Sequence, residues 1–204
     1  MDSRPSADAW PPVVTGARPP LPVKIVIAGG FGVGKTTAVS SISEIPVLTT
    51  EAAMTQAGAG IDLTSHTPGK TTTTVALDFG CITIDDEIKL YIFGTPGQDR
   101  FGFMWHDLTA GALGALVIVD TRRLDDCYGA VDYFEHNDTP FVVAVNRFNG
   151  RLDHHLEDVR WALAIPDSTP LISFDARERA SVRDALLSVL QRSLQRAEHR
   201  VLRR

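Results

Sequence analysis

The run Gly29-Gly30-Phe31-Gly32-Val33-Gly34-Lys35-Thr36 fits the pattern G-x-x-x-x-G-K-[ST], and each residue type in it suits the holding of a polyphosphate. Phosphate oxygens need several converging backbone N–H donors, glycines let a loop wrap closely, and a helix starting at Lys35 turns its positive dipole end to the same place. Lys35 is placed to reach the β- and γ-phosphates, and the Thr36 hydroxyl to ligate Mg²⁺. These eight positions, with Thr37 after them, form the first half of a candidate nucleotide-binding set. The pattern does not separate GTPases from ATPases or kinases.

Such a loop works only between a strand and a helix. Residues 23–28, Val-Lys-Ile-Val-Ile-Ala, read as a strand buried on both faces, and residues 35–43 read as the helix. Further strand-like runs fall at 73–84, 88–93, 112–119, 141–145 and 171–174. Between them, Cys127, Val131 and Phe134 share one helical face, Leu152, Leu156, Val159 and Leu163 another, and Val182, Leu186, Val189 and Leu190 begin a C-terminal stripe. Strands alternating with helices imply an α/β fold with a mainly parallel sheet of about six strands. The polar turn at Asp85-Asp86 predicts one antiparallel hairpin strand. Residues 44–70 have little periodicity and resist assignment; loops of this length in compact domains are usually functional or mobile.

The 204 residues are 44% hydrophobic and 22% charged, which suits one globular domain. Six of the twelve prolines lie in residues 1–22, which read as a flexible tail ahead of a domain at 23–204. A formal charge of −5 gives no global reason to bind nucleic acid, so none is expected as a direct partner, and any polyanion must be gripped locally. The longest nearly uncharged apolar run, 111–119, is about half of the roughly 18 residues a membrane span needs, so no transmembrane segment is expected. Met1-Asp2-Ser3 does not open a secretion signal, and the chain carries no prenylation or myristoylation motif; the expected location is cytoplasmic. Cys81 and Cys127 cannot build a disulfide framework and are expected to be buried.

After the phosphate loop come the threonine run 71–74, Asp78-Phe79-Gly80, then Phe93-Gly94-Thr95-Pro96-Gly97-Gln98-Asp99-Arg100-Phe101, Asn146-Arg147-Phe148-Asn149 and Asp175-Ala176-Arg177. Over residues 23–190 this order resembles the Ras-like small GTPases. It is more closely similar to the bacterial gliding-motility branch and, within it, to the GTPases of actinobacterial conservon operons. The resemblance implies a three-layer P-loop NTPase of Ras-like type that binds GTP or GDP with Mg²⁺ and hydrolyses GTP slowly without a partner. It implies that Thr74 joins Thr36 around the metal, that the Gly97 N–H senses the γ-phosphate, and that Gln98, with Lys35, is catalytic. It implies that Asn146, Arg147, Asn149, Ala176 and Arg177 surround the base, with the Ala176 N–H aimed at its O6. The implied partners are a roadblock-type regulator, a small DNA-binding-like protein and a membrane sensor-kinase-like protein, the last offering peripheral attachment to the membrane.

Four positions depart from the resemblance. Gly94 stands where an aspartate usually supports Mg²⁺ through water, Pro96 stiffens the same turn, and Phe31 replaces a glycine and should obstruct an arginine supplied in trans. Asn149 offers one acceptor where aspartate gives guanine two, which admits xanthine or a weaker hold on the base. The readings left open are a GTP-dependent switch, a non-hydrolysing nucleotide-bound adaptor, and an NTPase with relaxed base specificity for ATP or XTP. A P-loop kinase or metabolic ATPase lacks an arginine-rich lid, and the partitioning ATPases carry a second lysine where this chain has Gly30. Phe101, Phe103, Met104 and Trp105 are expected to form core or an effector surface. His154 and His155 are expected on a helix, facing apart, and the arginines at 192, 196, 200, 203 and 204 on a solvated helix end.

Overall fold

The computed structural model describes residues 19–54, 73–97 and 99–202. Seven strands form one sheet: β1 (Leu21–Ala28), β2 (Leu48–Met54), β3 (Thr73–Thr83), β4 (Ile88–Gly94), β5 (Gly114–Val119), β6 (Phe141–Asn146) and β7 (Leu171–Phe174), in the order β2-β3-β4-β1-β5-β6-β7. β1 pairs in parallel with β4 and β5, and β5, β6 and β7 continue in parallel. β3 alone runs against the rest, antiparallel to both β2 and β4. This is the hairpin strand the sequence predicts. Its turn closes on Asp85, whose Oδ1 accepts the N–H groups of Glu87 and Ile88, both at 2.8 Å.

β2 is the addition. Leu-Thr-Thr-Glu-Ala-Ala-Met has no clean alternation, so pairing with β3 rather than its own pattern defines it, and it falls in the stretch left unassigned. Residues 55–70 of that stretch, and residues 1–18 of the proline-rich tail, lie outside the described residues. β1 itself begins at Leu21, two residues ahead of the run 23–28.

Helices α1 (Lys35–Ile42) and α5 (Arg179–Leu202) cover one face of the sheet, and α3 (Asp125–His136) and α4 (Leu156–Ala162) the other; α2 (Trp105–Thr109) is a short helix before β5. The strands sort their side chains by parity. Ile25, Ile27, Leu116, Ile118, Val142 and Ala144 meet α1 and α5, while Val26, Ala28, Ala115, Val117, Val143 and Val145 meet α3 and α4. Every residue of β5 and β6 is buried, as expected of central parallel strands flanked by helices on both sides.

Two helical expectations need correction. α4 starts only at Leu156, so Leu152 is off the helix and 39% exposed. His155 is the N-cap of α4 with extended backbone, so neither His154 nor His155 lies in the helix. The helix is short because acidic Glu157 and Asp158 favour its first turn and Ala164, with φ of +52°, ends it. The arginines at the end of α5 are only partly solvated: Arg196 and Arg200 both pair with Asp138, just past α3. Cys81 and Cys127 are buried, and burial pushes the Cys127 thiol up to about 12, leaving it an inert packing group.

On the α3 face, Phe134 is wholly buried, with ring centroids 5.3 Å from Tyr133, 6.1 Å from Trp105 and 6.0 Å from Phe141. Phe134→Ala is expected to cost about 3–5 kcal/mol in urea-unfolding stability, from lost burial plus the cavity left behind. A cost below about 1 kcal/mol would show that this face does not hold the sheet as described.

Candidate nucleotide-binding site

The phosphate loop sits at the C-terminal end of β1, where the sheet continues to β4 on one side and β5 on the other, the place where open α/β sheets form a crevice. Gly34, the N-cap of α1, has φ of +108°, a conformation that needs glycine. No side chain caps this helix end, so its first N–H groups point into the loop. Lys35 is only 8% exposed, and its Nζ donates to the carbonyls of Gly29 at 2.8 Å and Gly30 at 2.5 Å. Burial pushes its pKa down to about 8, against the opposing pull of Asp78. Gly97 closes over it: a Cβ there would fall 2.6 Å from Lys35 Nζ.

Thr36 Oγ1 donates to Asp78 Oδ2 at 2.6 Å. Asp78, on β3, lies directly across from Gly94 on β4, and a Cβ on Gly94 would fall 3.0 Å from Asp78 Cβ and 3.2 Å from its Oδ2. A carboxylate from the neighbouring strand thus lies beside position 94, and the glycine makes room for it. Reading the sequence uses Asp78 only as a spacing landmark. Its place was nonetheless legible, since a hairpin centred on Asp86 sets residue 78 against residue 94.

A threonine hydroxyl and a carboxylate side by side fit Mg²⁺, which takes hard oxygen ligands, few of them from protein. No group of three or more His, Cys, Asp and Glu side chains forms a separate cage among the described residues. Thr74 lies in β3 opposite Ala53, but its side chain is outside the described residues, as is the whole of Gln98. Neither the metal role of the first nor the catalytic role of the second is visible in the geometry. Phe31 is 66% exposed at the lip of the loop, and Thr37 is exposed on α1.

Asn146, at the end of β6, stitches the loop to the far side of the site. Its Nδ2 donates to the Val33 carbonyl at 2.9 Å and its Oδ1 accepts the Ala176 N–H at 3.2 Å. The Ala176 N–H expected to face a base is thus already engaged with Asn146. Arg147 leans toward Glu178 at 3.8 Å and leaves a buried Nε without a partner. Asn149 is exposed with φ of +59°, a left-handed conformation that asparagine tolerates, in a 3-10 turn with Phe148 and Gly150. Arg177 is held by Asp175 through two bonds of 2.9 and 2.7 Å, and these hold the buried Asp175 carboxyl down at about 2. The same pattern recurs unforeseen at β5, where buried Asp120 grips Arg122, whose guanidinium lies 4.0 Å from the Phe148 ring centroid. Both are D-x-R tripeptides at strand ends, a signal present in the sequence.

Residues 27–196, which include all of this site, match the family described as conserved hypothetical ATP binding protein. The chain belongs to that family. An uncharacterized protein of Methanocaldococcus jannaschii is 31% identical over 127 residues, covering 61% of this chain and 70% of that protein. The G-domain of FeoB from Methanococcus jannaschii superposes with a TM-score of 0.54 over 84% of this chain and 98% of the other, at 12% identity, which establishes the fold. The chain is a nucleotide-binding P-loop NTPase with a three-layer, G-domain-like fold. Among the described residues no helix is long and apolar enough to cross a membrane.

An ammonium at Lys35 is what a bound phosphate would meet, and in the ligand-free protein burial lowers the pKa of that group to about 8. Nucleotide affinity is therefore expected to be flat below about pH 7.5 and to weaken above pH 8, approaching about tenfold per pH unit. Lys35→Ala should nearly abolish binding with the circular dichroism spectrum intact. Titration of a labelled triphosphate from pH 6.5 to 9.5 checks both.

Proposed function

We propose that the protein is a nucleotide-dependent molecular switch that binds GTP with Mg²⁺, hydrolyses it slowly, and signals to partner proteins through the segments around Thr74 and Gly97. The observation that carries this reading is the convergence of Lys35, the Thr36–Asp78 pair and Gly97 on one loop whose backbone is set by Asn146. A bound Mg²⁺ would be held by Thr36 with Asp78 beside it and would neutralise phosphate charge. Lys35 presents its ammonium to the β- and γ-phosphates, and Gly97, within reach of Lys35, presents its N–H where the γ-phosphate ends. Loss of that phosphate releases the segment holding Gly97, which is how a switch reports its nucleotide state. Gln98 orients the attacking water in this reading, with Lys35 stabilising the transferred charge. The resemblance to conservon-type GTPases supports a roadblock-type regulator and a sensor-kinase-like membrane protein as partners, and through the latter a position at the membrane surface.

A second reading is favoured by Asn149 and by the name of the matching family: an NTPase with relaxed base specificity that accepts ATP or XTP. An exposed asparagine gives guanine one acceptor for two donors, and charge-assisted bonds of this kind contribute on the order of 1.5–3 kcal/mol. Competition binding with GTP, GDP, ATP and XTP separates the two readings. On the first, GTP and GDP win, and Asn149→Asp tightens them about ten- to a hundredfold; a chain that prefers ATP and ignores Asn149→Asp belongs to the second.

Further outcomes follow from the catalytic and metal assignments. Gln98→Leu should lower single-turnover hydrolysis at least tenfold with triphosphate affinity within about threefold of wild type. Asp78→Asn should weaken Mg²⁺-dependent nucleotide binding about tenfold or more, and adding Gly94→Asp to Asp78→Asn should fail to restore it, because a Cβ at position 94 falls 3.0 Å from the Cβ at position 78. Mg²⁺ titrations at fixed nucleotide measure the last pair.

A further inference from the structure

Between β5 and α3 the chain runs Asp120-Thr121-Arg122-Arg123, and the two arginines leave this turn for opposite halves of the site. The turn is stiff. Asp120 is 1% exposed; its Oδ1 accepts the Arg122 N–H at 3.0 Å, and its carbonyl accepts the Arg123 N–H at 3.0 Å. Arg122 lies on Phe148, beside the residues assigned to the base. Arg123 goes to the phosphate loop, where its Nη2 donates to the Phe31 carbonyl at 2.7 Å. Its Nη1 lies 3.4 Å from Asp126 Oδ2 in the first turn of α3. That turn abuts the loop closely enough that a Cβ on Gly30 would fall 2.4 Å from Asp126 Cβ.

A loop that cradles phosphate must turn N–H groups toward the anion and carbonyls away from it. In a planar trans peptide the C=O and the following N–H point in opposite directions. A donor that holds the Phe31 carbonyl therefore fixes the Gly32 N–H at the opposite edge of the peptide, pointing away from that donor. Gly32 has φ of +73° and no side chain, so nothing of its own holds that peptide against rotation. A charged donor also polarises the peptide and strengthens the N–H as a donor. Asp126 offsets the guanidinium charge, so what Arg123 contributes is orientation more than net positive potential.

We infer that Arg123 is a positioning residue of the phosphate loop, holding the Phe31–Gly32 peptide so that the Gly32 N–H faces the phosphates of a bound nucleotide. The inference rests on the nucleotide-binding reading above. It requires two partners held at once by one side chain, the Phe31 carbonyl and the Asp126 carboxylate, which the planar five-donor guanidinium can satisfy and an ammonium cannot in the same geometry. It also accounts for the half-exposed position of Arg123, 49% accessible, which packs no core.

The test uses the full chain as wild type, Arg123→Ala and Arg123→Lys, with GDP, GTP and ATP titrated in the presence of Mg²⁺, single-turnover hydrolysis at saturating triphosphate, and thermal melting without nucleotide. Arg123→Ala is expected to weaken di- and triphosphate binding about tenfold, to leave the rate from the saturated complex within about twofold, and to leave the ligand-free melting temperature unchanged. Arg123→Lys is expected to recover less than half of the lost affinity on a logarithmic scale. Unchanged affinity in Arg123→Ala overturns the inference, as does full rescue by lysine, which would make the effect one of charge alone. A drop in ligand-free melting temperature parallel to the affinity loss also overturns it, by showing a role in the fold. Failure of wild type to bind any of the three nucleotides overturns the nucleotide reading itself, and the inference with it.

Discussion

An ammonium group packed under a loop at 8% exposure, with backbone carbonyls as its hydrogen-bond acceptors, is a charge that the fold keeps at a cost. Desolvation lowers its pKa to about 8, so near neutral pH the group is still charged but holds its proton less tightly than an exposed lysine. A polyanion entering the loop would relieve that stress by giving the ammonium a partner of opposite sign. The surrounding architecture serves to keep Lys35 where it is: α1 begins on it, Gly97 closes against it, and the charge of Asp78 offsets part of its desolvation. In a chain with a formal charge of −5, this local concentration of cation and N–H donors is what allows a phosphate site at all.

The Thr36–Asp78 pair shows how a sheet can bring a carboxylate to a place where the strand nearest to it carries none. Opposite residues of an antiparallel pair stand close enough for a side chain on one strand to occupy the space above the other, provided the other is glycine. Asp78 and Gly94 are such a pair. Gly94 carries no carboxylate of its own, and the hairpin register sets that of Asp78 beside it.

The two D-x-R turns at the ends of β5 and β7 have a comparable logic. Each buries an aspartate at a strand terminus, where its carboxylate accepts the backbone N–H two residues on and clamps the arginine that follows. A buried carboxylate satisfied in this way stiffens the loop that leaves the sheet, and both loops border the nucleotide site. Arg122 and Arg177 are thereby fixed to their own turns rather than free to swing, which narrows what they can contribute to ligand recognition.

Most of the fold was legible from the sequence because its signals are local. The strands at β1, β5 and β6 are short apolar runs, the loop G-x-x-x-x-G-K-T states its own geometry, and the hairpin announces itself by Asp85-Asp86. These depend on periodicity and on residues adjacent in the chain. Tertiary structure decided what depends on partners distant in sequence. β2 is a strand only because β3 is beside it. His155 stands at the N-cap position of α4 with extended backbone rather than inside the helix. Ala176 gives its N–H to Asn146, thirty positions away, and Arg123 reaches Phe31 across ninety-two. Hydrogen-bonding groups such as these have several possible partners in the unfolded chain, and only the closing of the sheet, which brings the ends of β1, β5, β6 and β7 to one rim, selects among them.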